Sequence, residues 1–298
     1  MEKRMLGKTG MEVSVLGFGG AEIGYQGVPF EQARQLLNKA LDAGLNVIDT
    51  AECYRNGEEL IGRAASGRRK EFFLFTKCGH ASGLDLPDWD PRMLEQQIDR
   101  SLKRLQTDVL DLVQLHGCSK DLLEKGDVIR VLENARDAGK TRFIGYSGDG
   151  EDAVYAIGSG RFDTLQTSIN IADQEAITLT LPFAQEKQMG VIAKRPIANA
   201  AWKTGSKPQD KYHHVYWERL QKLDYEFLKE TLSDAISIAL RFTLAAPGVG
   251  TAIVGTSNPD RWAENARLLE SGALSSEEVE MIRDRWREVS TGQWVGQG

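Results

Sequence analysis

The stretch GLNVIDTAECYRNGEELIG, residues 44–62, decides how the chain is read. Asn46 to Ile48 is an apolar-rich run that stops at a carboxylate, Asp49. Tyr54 follows five residues later, and Gly57 precedes a helical pattern. The order is that of a short buried strand, a turn and a helix start. A carboxylate at the end of a buried strand is costly unless it is paired. The rest of the sequence should therefore supply a cation that meets Asp49.

Working outward, the same strand–helix rhythm repeats. Upstream, residues 4–13 read as two extended pieces around Gly7 to Gly10, a hairpin, and residues 14–18 as a strand ending at Gly19 and Gly20. Residues 30–43 carry Ala33, Leu36, Leu37, Ala40 and Leu41 at helical spacing before Gly44. Downstream, strands are predicted over 72–76, 109–115, 141–146, 164–167, 191–193 and 251–254. Helices are predicted over 57–66, 91–105, 126–138, 152–157, 179–188, 231–245, 258–269 and 276–287. Residues 203–217 form an aromatic-rich insertion, and 291–298 a loosely structured tail carrying Trp294. The strands are short apolar runs without alternation, as in a parallel sheet buried on both faces. About eight of them, nearly all followed by a helix, predict an α/β fold: a (β/α)8 TIM barrel with an N-terminal β-hairpin and an extra C-terminal helix, residues 1–298 forming one domain. A doubly wound dinucleotide fold fits less well. Gly17-x-Gly19 opens its fingerprint, but Glu22 stands where the third glycine belongs.

Composition narrows the function. Lys and Arg number 37 against 43 Asp and Glu, a net charge of −6, which argues against a nucleic-acid surface. The N-terminus MEKRMLGKTG has no apolar signal core, and the most apolar window, 236–254, is broken by Arg241 and Pro247. Three cysteines without CxxC spacing suggest neither a disulfide framework nor a zinc module. The expectation is a cytoplasmic protein without a membrane span or a bound metal, acting on a small molecule. Its oligomeric state is not legible, with a monomer the default.

The predicted strand ends carry reactive groups. Asp49 and Tyr54 follow one strand, Lys77 ends the next and His116 the one after. In a parallel barrel these ends share one mouth, so four groups from three successive strands converge there. The motifs VIDTAECY with GEELIG, LFTKCG, LVQLHG, IGYSG, LQTSIN, GVIAKRPI and GTSNPDRWAENAR run through nearly the whole chain. In this order they resemble the aldo-keto reductase family.

The resemblance implies a reductase that transfers hydride from NADPH to an aldehyde or ketone, with alcohol oxidation as the reverse. It implies Asp49, Tyr54, Lys77 and His116 as the catalytic set. The chemistry agrees. Carbonyl reduction places negative charge on oxygen and needs a proton there. A phenol, with an ordinary pKa of about 10, donates reluctantly near neutrality. Lys77 should lower the Tyr54 pKa, Asp49 should hold Lys77, and a neutral His116 should donate to the carbonyl oxygen.

Cofactor contacts are implied at Gly20, Ala21, Asp49, Ser147, Gln166, Lys194, Arg195, Pro196, Gly255, Ser257, Arg261, Glu264 and Asn265. Ser147 and Gln166 would meet the nicotinamide carboxamide, and Glu264 and Asn265 the adenine. Arg261 would clasp a 2′-phosphate, favouring NADPH, with NADH an option. Ser257 or Asn258 reads as the cap of this last helix, with Pro259 at its first position. Three positions depart from the family pattern. Gly148 stands where an Asn is usual, leaving Asn170 or water to replace its contact. Lys194 stands where an aromatic often stacks, so that Lys194 and Arg195 would grip the pyrophosphate or another residue would cover the ring. Gly255 stands where a Lys is frequent.

The segments 80–89 and 203–217, with the tail around Trp294, should line the substrate pocket. Cys53, Cys78 and Cys118 lie close in sequence to the catalytic set; they read first as buried small apolar side chains, with a reactive thiolate stabilised by Lys77 as the alternative. Two other readings compete. One is a nicotinamide-binding regulatory protein with little turnover, similar to the potassium-channel β subunits. The other is a Schiff-base enzyme using Lys77.

Overall fold

The computed structural model describes residues 1–297; Gly298, the end of the expected tail, lies outside the described residues. A two-stranded antiparallel hairpin, β1 (Lys3–Met5) and β2 (Glu12–Ser14), opens the chain. Eight parallel strands follow: β3 (Leu16–Gly19), β4 (Val47–Asp49), β5 (Phe73–Cys78), β6 (Leu110–His116), β7 (Thr141–Ser147), β8 (Thr164–Ser168), β9 (Gly190–Lys194) and β10 (Val249–Gly255). They close in sequence order, β10 pairing with both β9 and β3, so the barrel has no free edge.

The helices are α1 (Ala21–Tyr25), α2 (Phe30–Asp42), α3 (Gly57–Ala65), α4 (Pro91–Leu105), α5 (Lys120–Lys125), α6 (Asp127–Asp137), α7 (Gly150–Gly158), α8 (Glu175–Leu179), α9 (Leu181–Glu186), α10 (His214–Leu223), α11 (Leu232–Ala245), α12 (Arg261–Leu268) and α13 (Ser276–Ser290). The expected (β/α)8 barrel with its hairpin and C-terminal helix is therefore present. Four helical details differ from expectation. The short α1 and α5 have too few turns to show a period. The helix expected over 179–188 is two pieces, broken at Thr180 before Pro182. The insertion folds in part as α10. The helix expected from residue 258 begins at Arg261, after a turn in which Asn258 Oδ1 accepts from Asp260 N at 2.9 Å. Neither Ser257 nor Asn258 is its cap, and Pro259 lies outside it.

Side chains alternate along each strand, and this alternation positions the site. Val47, Phe75, Leu112, Ile192 and Ile253 form the lower barrel interior, where they pack with Leu6, Met11 and Val13 of the hairpin. The hairpin is thus an apolar plug beneath the barrel. One pleat higher on the same faces stand Asp49, Lys77, Gln114 and Lys194. The outward residues, such as Ile48, Leu74, Val113 and Leu165, join the larger core beneath the helices. A strand buried on both faces can carry polar groups only where they satisfy one another.

Candidate active site

Asp49 and Lys77 are each 2 % exposed and form an ion pair. Lys77 Nζ also donates to Thr50 O at 2.9 Å. The second carboxylate oxygen of Asp49 accepts from Gln166 Nε2 at 2.9 Å and Gln114 Nε2 at 3.4 Å. Ser147 Oγ donates to Gln166 Oε1 at 3.1 Å. The cation demanded by Asp49 is therefore Lys77, and one continuous network joins β4, β5, β6, β7 and β8. Lys77 Nζ is engaged by Asp49 and Thr50 rather than open to a carbonyl carbon, which counts against the Schiff-base reading.

Tyr54 sits in the loop after β4 with its ring centroid 5.5 Å from Lys77 Nζ and 5.8 Å from the His116 ring. The loop is seated by close backbone contact: a Cβ on Gly24 of α1 would lie 2.3 Å from Tyr54 O. The four expected groups do converge. The electrostatics differ from expectation in one respect. Burial, then the Asp49 charge, holds the Tyr54 hydroxyl well above its ordinary pKa. The physical reason is chiefly that a tyrosinate here would lose its hydration, and the Asp49 carboxylate adds repulsion to the same charge. Burial, then Lys77, depresses His116 well below the usual imidazole range, so its ring is neutral as expected.

Of the two readings of the cysteines, the structure favours buried small apolar side chains over a reactive thiolate. Cys78 and Cys118 are buried, and burial pushes all three thiols up, Cys53 to about 11 and Cys118 to about 12. At Cys53 the Lys77 charge opposes the desolvation without matching it. A protonated Cys53 has a different use. Its Sγ lies 3.6 Å from His116 Nδ1. A thiol S–H donating there leaves the imidazole proton on Nε2.

The cofactor expectations divide. Lys194 is not free to act alone: Nζ lies 2.9 Å from Asp149 Oδ2. The Asp149 side chain is 5 % exposed and also accepts from Thr167 Oγ1 at 2.6 Å and Ser168 N at 2.7 Å. Burial raises its carboxyl pKa, but Lys194 and these bonds outweigh burial and leave it lowered. Arg195 donates to Ser168 Oγ at 2.8 Å and Tyr212 Oη at 2.8 Å, and also to Gln297 O of the tail. Pro196 O accepts from Thr243 Oγ1 at 2.8 Å. Asn170 does not replace the missing Asn contact. Its amide donates to Arg195 O at 3.0 Å and its oxygen accepts from Ala172 N at 2.8 Å. Gly148 itself is required, since a Cβ there would lie 2.5 Å from Tyr146 Oη, which donates to Cys118 O.

Gly20 and Ala21 lie where β3 turns into α1, and Gly20 N donates to Asp49 O at 2.7 Å. At Gly255 a Cβ would fall 1.6 Å from Glu22 Oε2. The Glu22 carboxyl thus fills the space of a longer side chain, and burial raises its pKa. Ser257 O accepts from Gln32 Nε2 at 2.7 Å. Arg261 and Glu264 pair at 3.1 Å and, with Asn265, line a cavity of about 330 Å³ between α11 and α12. Asn265 is 2 % exposed and its Oδ1 has no partner. An orphaned buried amide oxygen beside an arginine at a helix N-terminus fits a purine amine and a phosphate.

Sequence reasoning missed several residues. Asp149 lies two residues past the end of β7, and a carboxylate so close to a strand end was a legible signal. Glu52 lies within the stretch 44–62, where its side chain is fully buried. It takes bonds from Arg100, Arg104, Ser82 and Gln97. His80 packs 5.2 Å from the His116 ring. It opens the segment 80–89 expected to line the pocket, three residues after Lys77, but the sequence did not single out its ring.

Among the described residues no cluster of His, Cys, Asp or Glu could hold a metal ion, and no helix is long and apolar enough to cross a membrane. Residues 15–287 match the profile of the Aldo/keto reductase family. The holo form of aldo-keto reductase AKR11C1 from Bacillus halodurans superposes with a TM-score of 0.82 at 27 % identity, over 96 % of each chain. Among curated proteins, the uncharacterized oxidoreductase YqkF of Bacillus subtilis is 27 % identical over 97 % of each chain. L-galactose dehydrogenase of Arabidopsis thaliana is 27 % identical over 95 % of this chain and 94 % of its own. The closed barrel, the paired strand-end groups and the profile match agree that the chain belongs to the aldo/keto reductase family of nicotinamide-dependent oxidoreductases.

Proposed function

We propose that the protein is an NADPH-dependent carbonyl reductase in which Tyr54 delivers the proton to an aldehyde or ketone oxygen. The observation that carries this reading is the convergence of Tyr54, His116 and the buried Asp49–Lys77 pair at one barrel mouth. A bound nicotinamide supplies hydride. Ser147 and Gln166 would orient its carboxamide, and Asn265, Glu264 and Arg261 would hold the adenosine end. Gly20 and Ala21 at the β3–α1 turn, with Lys194, Arg195, Pro196, Gly255 and Ser257 at the last strand ends, would line the path between them.

The residues of the chain then handle the proton. His116, neutral and carrying its proton on Nε2, donates to the carbonyl oxygen and fixes its position. As negative charge grows on that oxygen, Tyr54 transfers its hydroxyl proton. Burial makes the tyrosinate costly, so the transfer needs the Lys77 ammonium beside the phenol to receive the new charge. Lys77 stays in place because Asp49 and Thr50 O hold it. Reversing these steps oxidises an alcohol, with tyrosinate as base.

The regulatory-protein alternative is not favoured by this geometry, since the proton-handling groups are gathered at one mouth. The test is Tyr54→Phe. Removing a general acid costs about 10²–10⁴-fold in rate, and NADPH affinity measured by tryptophan fluorescence should stay within about threefold. A variant retaining most of the turnover would remove Tyr54 as the donor.

A further inference from the structure

The loop from Gly79 to Trp89 brings a second imidazole to the mouth. His80 packs edge-on against His116, with centroids 5.2 Å apart at 62°, and against Trp89 at 5.4 Å. Its position is fixed from three sides. Its carbonyl accepts from Gln97 Nε2 at 2.6 Å, and Gln97 Oε1 accepts from Gly79 N at 2.9 Å. Asp88 Oδ1 accepts from Ala81 N at 2.6 Å, closing the loop on itself. Asp88 Oδ2 faces His80 Nδ1 at 3.4 Å. The other ring nitrogen, Nε2, points toward the backbone just after His116, lying 4.0 Å from where a Cβ of Gly117 would be.

The two histidines are therefore arranged alike. Each has its Nδ1 turned to a protein group, Cys53 for His116 and Asp88 for His80, and each leaves Nε2 for a ligand. We propose that His80 is a specificity residue that binds a hydroxyl on the carbon next to the reacting carbonyl, so that the preferred substrates are 2-hydroxy aldehydes and ketones. The proposal rests on the carbonyl-reductase reading above.

The chemistry selects a hydroxyl over other oxygen groups. When the ring carries a single proton, on the Nδ1 that faces the Asp88 carboxylate, Nε2 of His80 is an acceptor. A hydroxyl can donate to it, and can also accept from it when the ring is protonated. A carboxylate or a second carbonyl can only accept, and a carboxylate would also sit near Asp88. His116 Nε2–H meanwhile takes the carbonyl oxygen. Two neighbouring rings with one donor and one acceptor thus match two oxygens on adjacent carbons, one accepting and one donating.

The experiment compares propanal, 2-hydroxypropanal and glyoxylate as substrates of the wild type and of His80→Phe, which keeps a ring against Trp89 and His116. One hydrogen bond is worth roughly tenfold. The wild type should favour 2-hydroxypropanal over propanal by about that factor in kcat/KM, mainly through KM, and should disfavour glyoxylate. In His80→Phe the preference should fall to within about twofold, with propanal little changed. A second readout needs no turnover. Propane-1,2-diol added to the NADP⁺ complex should shift the imidazole nitrogen signals of one of the three histidines other than His116, and that shift should vanish in His80→Phe. Aldehyde reduction without a hydroxyl preference, or with a preference that survives His80→Phe, overturns this proposal alone. Failure to reduce any aldehyde while the diol still shifts His80 overturns the reductase reading and leaves the hydroxyl site standing. Failure of both overturns both.

Discussion

Replacing Asp49 by Asn tests the group on which the mouth is built. The two charges are each 2 % exposed, so solvent screening does little for either. Breaking a buried pair by neutralising one partner costs about 3–5 kcal/mol, because the other charge is left uncompensated. Unfolding a chain of 298 residues carries an entropy of about 0.6 kcal/mol/K, so this cost lowers Tm by about 5–8 °C. The lower end is expected, since an amide oxygen can still accept one of the bonds now shared among Lys77, Gln166 and Gln114. Scanning calorimetry of both proteins reads the difference. Asp49→Asn also removes the second-largest influence raising the Tyr54 pKa and leaves Lys77 unopposed 5.5 Å from the ring. Alkaline difference spectroscopy should then show one tyrosine ionising at lower pH, a step absent from the variant that also carries Tyr54→Phe. A Tm within about 1 °C of wild type, with an unchanged tyrosine titration, would refute the claim that this pair is buried and coupled to Tyr54.

Other substitutions probe separate parts. Arg261→Ala should weaken NADPH by about tenfold or more and NADH much less; equal losses in fluorescence titrations would show that Arg261 does not read the 2′-phosphate. Cys53→Val removes the thiol donor from His116 Nδ1, so kcat should fall about tenfold with cofactor affinity intact, and Cys53→Ser should restore it; a Val variant as active as Ser would end the tautomer argument. Glu58 has its carboxyl pushed up to about 7 by burial, against an ordinary value of 4.5. The folded state thus keeps a proton that the unfolded state releases, and stability falls as pH rises from about 4.5 to about 7. Glu58→Gln should flatten this decline in denaturant titrations across that window, and an identical slope would contradict the buried acid.

The barrel and its mouth were legible because both depend on local pattern. Most barrel strands are apolar runs with a polar residue at or next to the end, and Asp49, Lys77 and His116 are such residues. What stayed hidden depends on pairing across the barrel. No periodicity tells that Lys194 is taken by Asp149, or that Gln114 points inward to Asp49. The reactive-thiolate alternative is disfavoured for a related reason. Adjacency of Cys78 to Lys77 in sequence puts the two on opposite faces of β5, so the ammonium points into the barrel and the thiol into the core under the helices. The start of α12 was misplaced because Asn258 and Pro259 form a turn that imitates a helix cap.

The departures at residues 148 and 194 are one change rather than two. The Tyr146 ring is fully buried with its hydroxyl on Cys118 O, and that hydroxyl fills the space beside residue 148. Only glycine fits there, so no side chain from 148 can reach the mouth. The next residue, Asp149, turns its carboxylate inward and is bound by Thr167, Ser168 and Lys194. A buried carboxylate with two neutral donors still needs a countercharge. Lys194 supplies it from the end of β9, across β8, where an aromatic ring would leave Asp149 uncompensated. Lys194 in turn owes its place to Asp149, which offsets part of the burial that lowers its pKa. The mouth therefore holds two carboxylate–lysine pairs. One lies beside Tyr54, where the Asp49 charge opposes ionisation of the phenol. The other fastens β7, β8 and β9 around Arg195, and through Arg195 holds Tyr212 of the insertion over the opening.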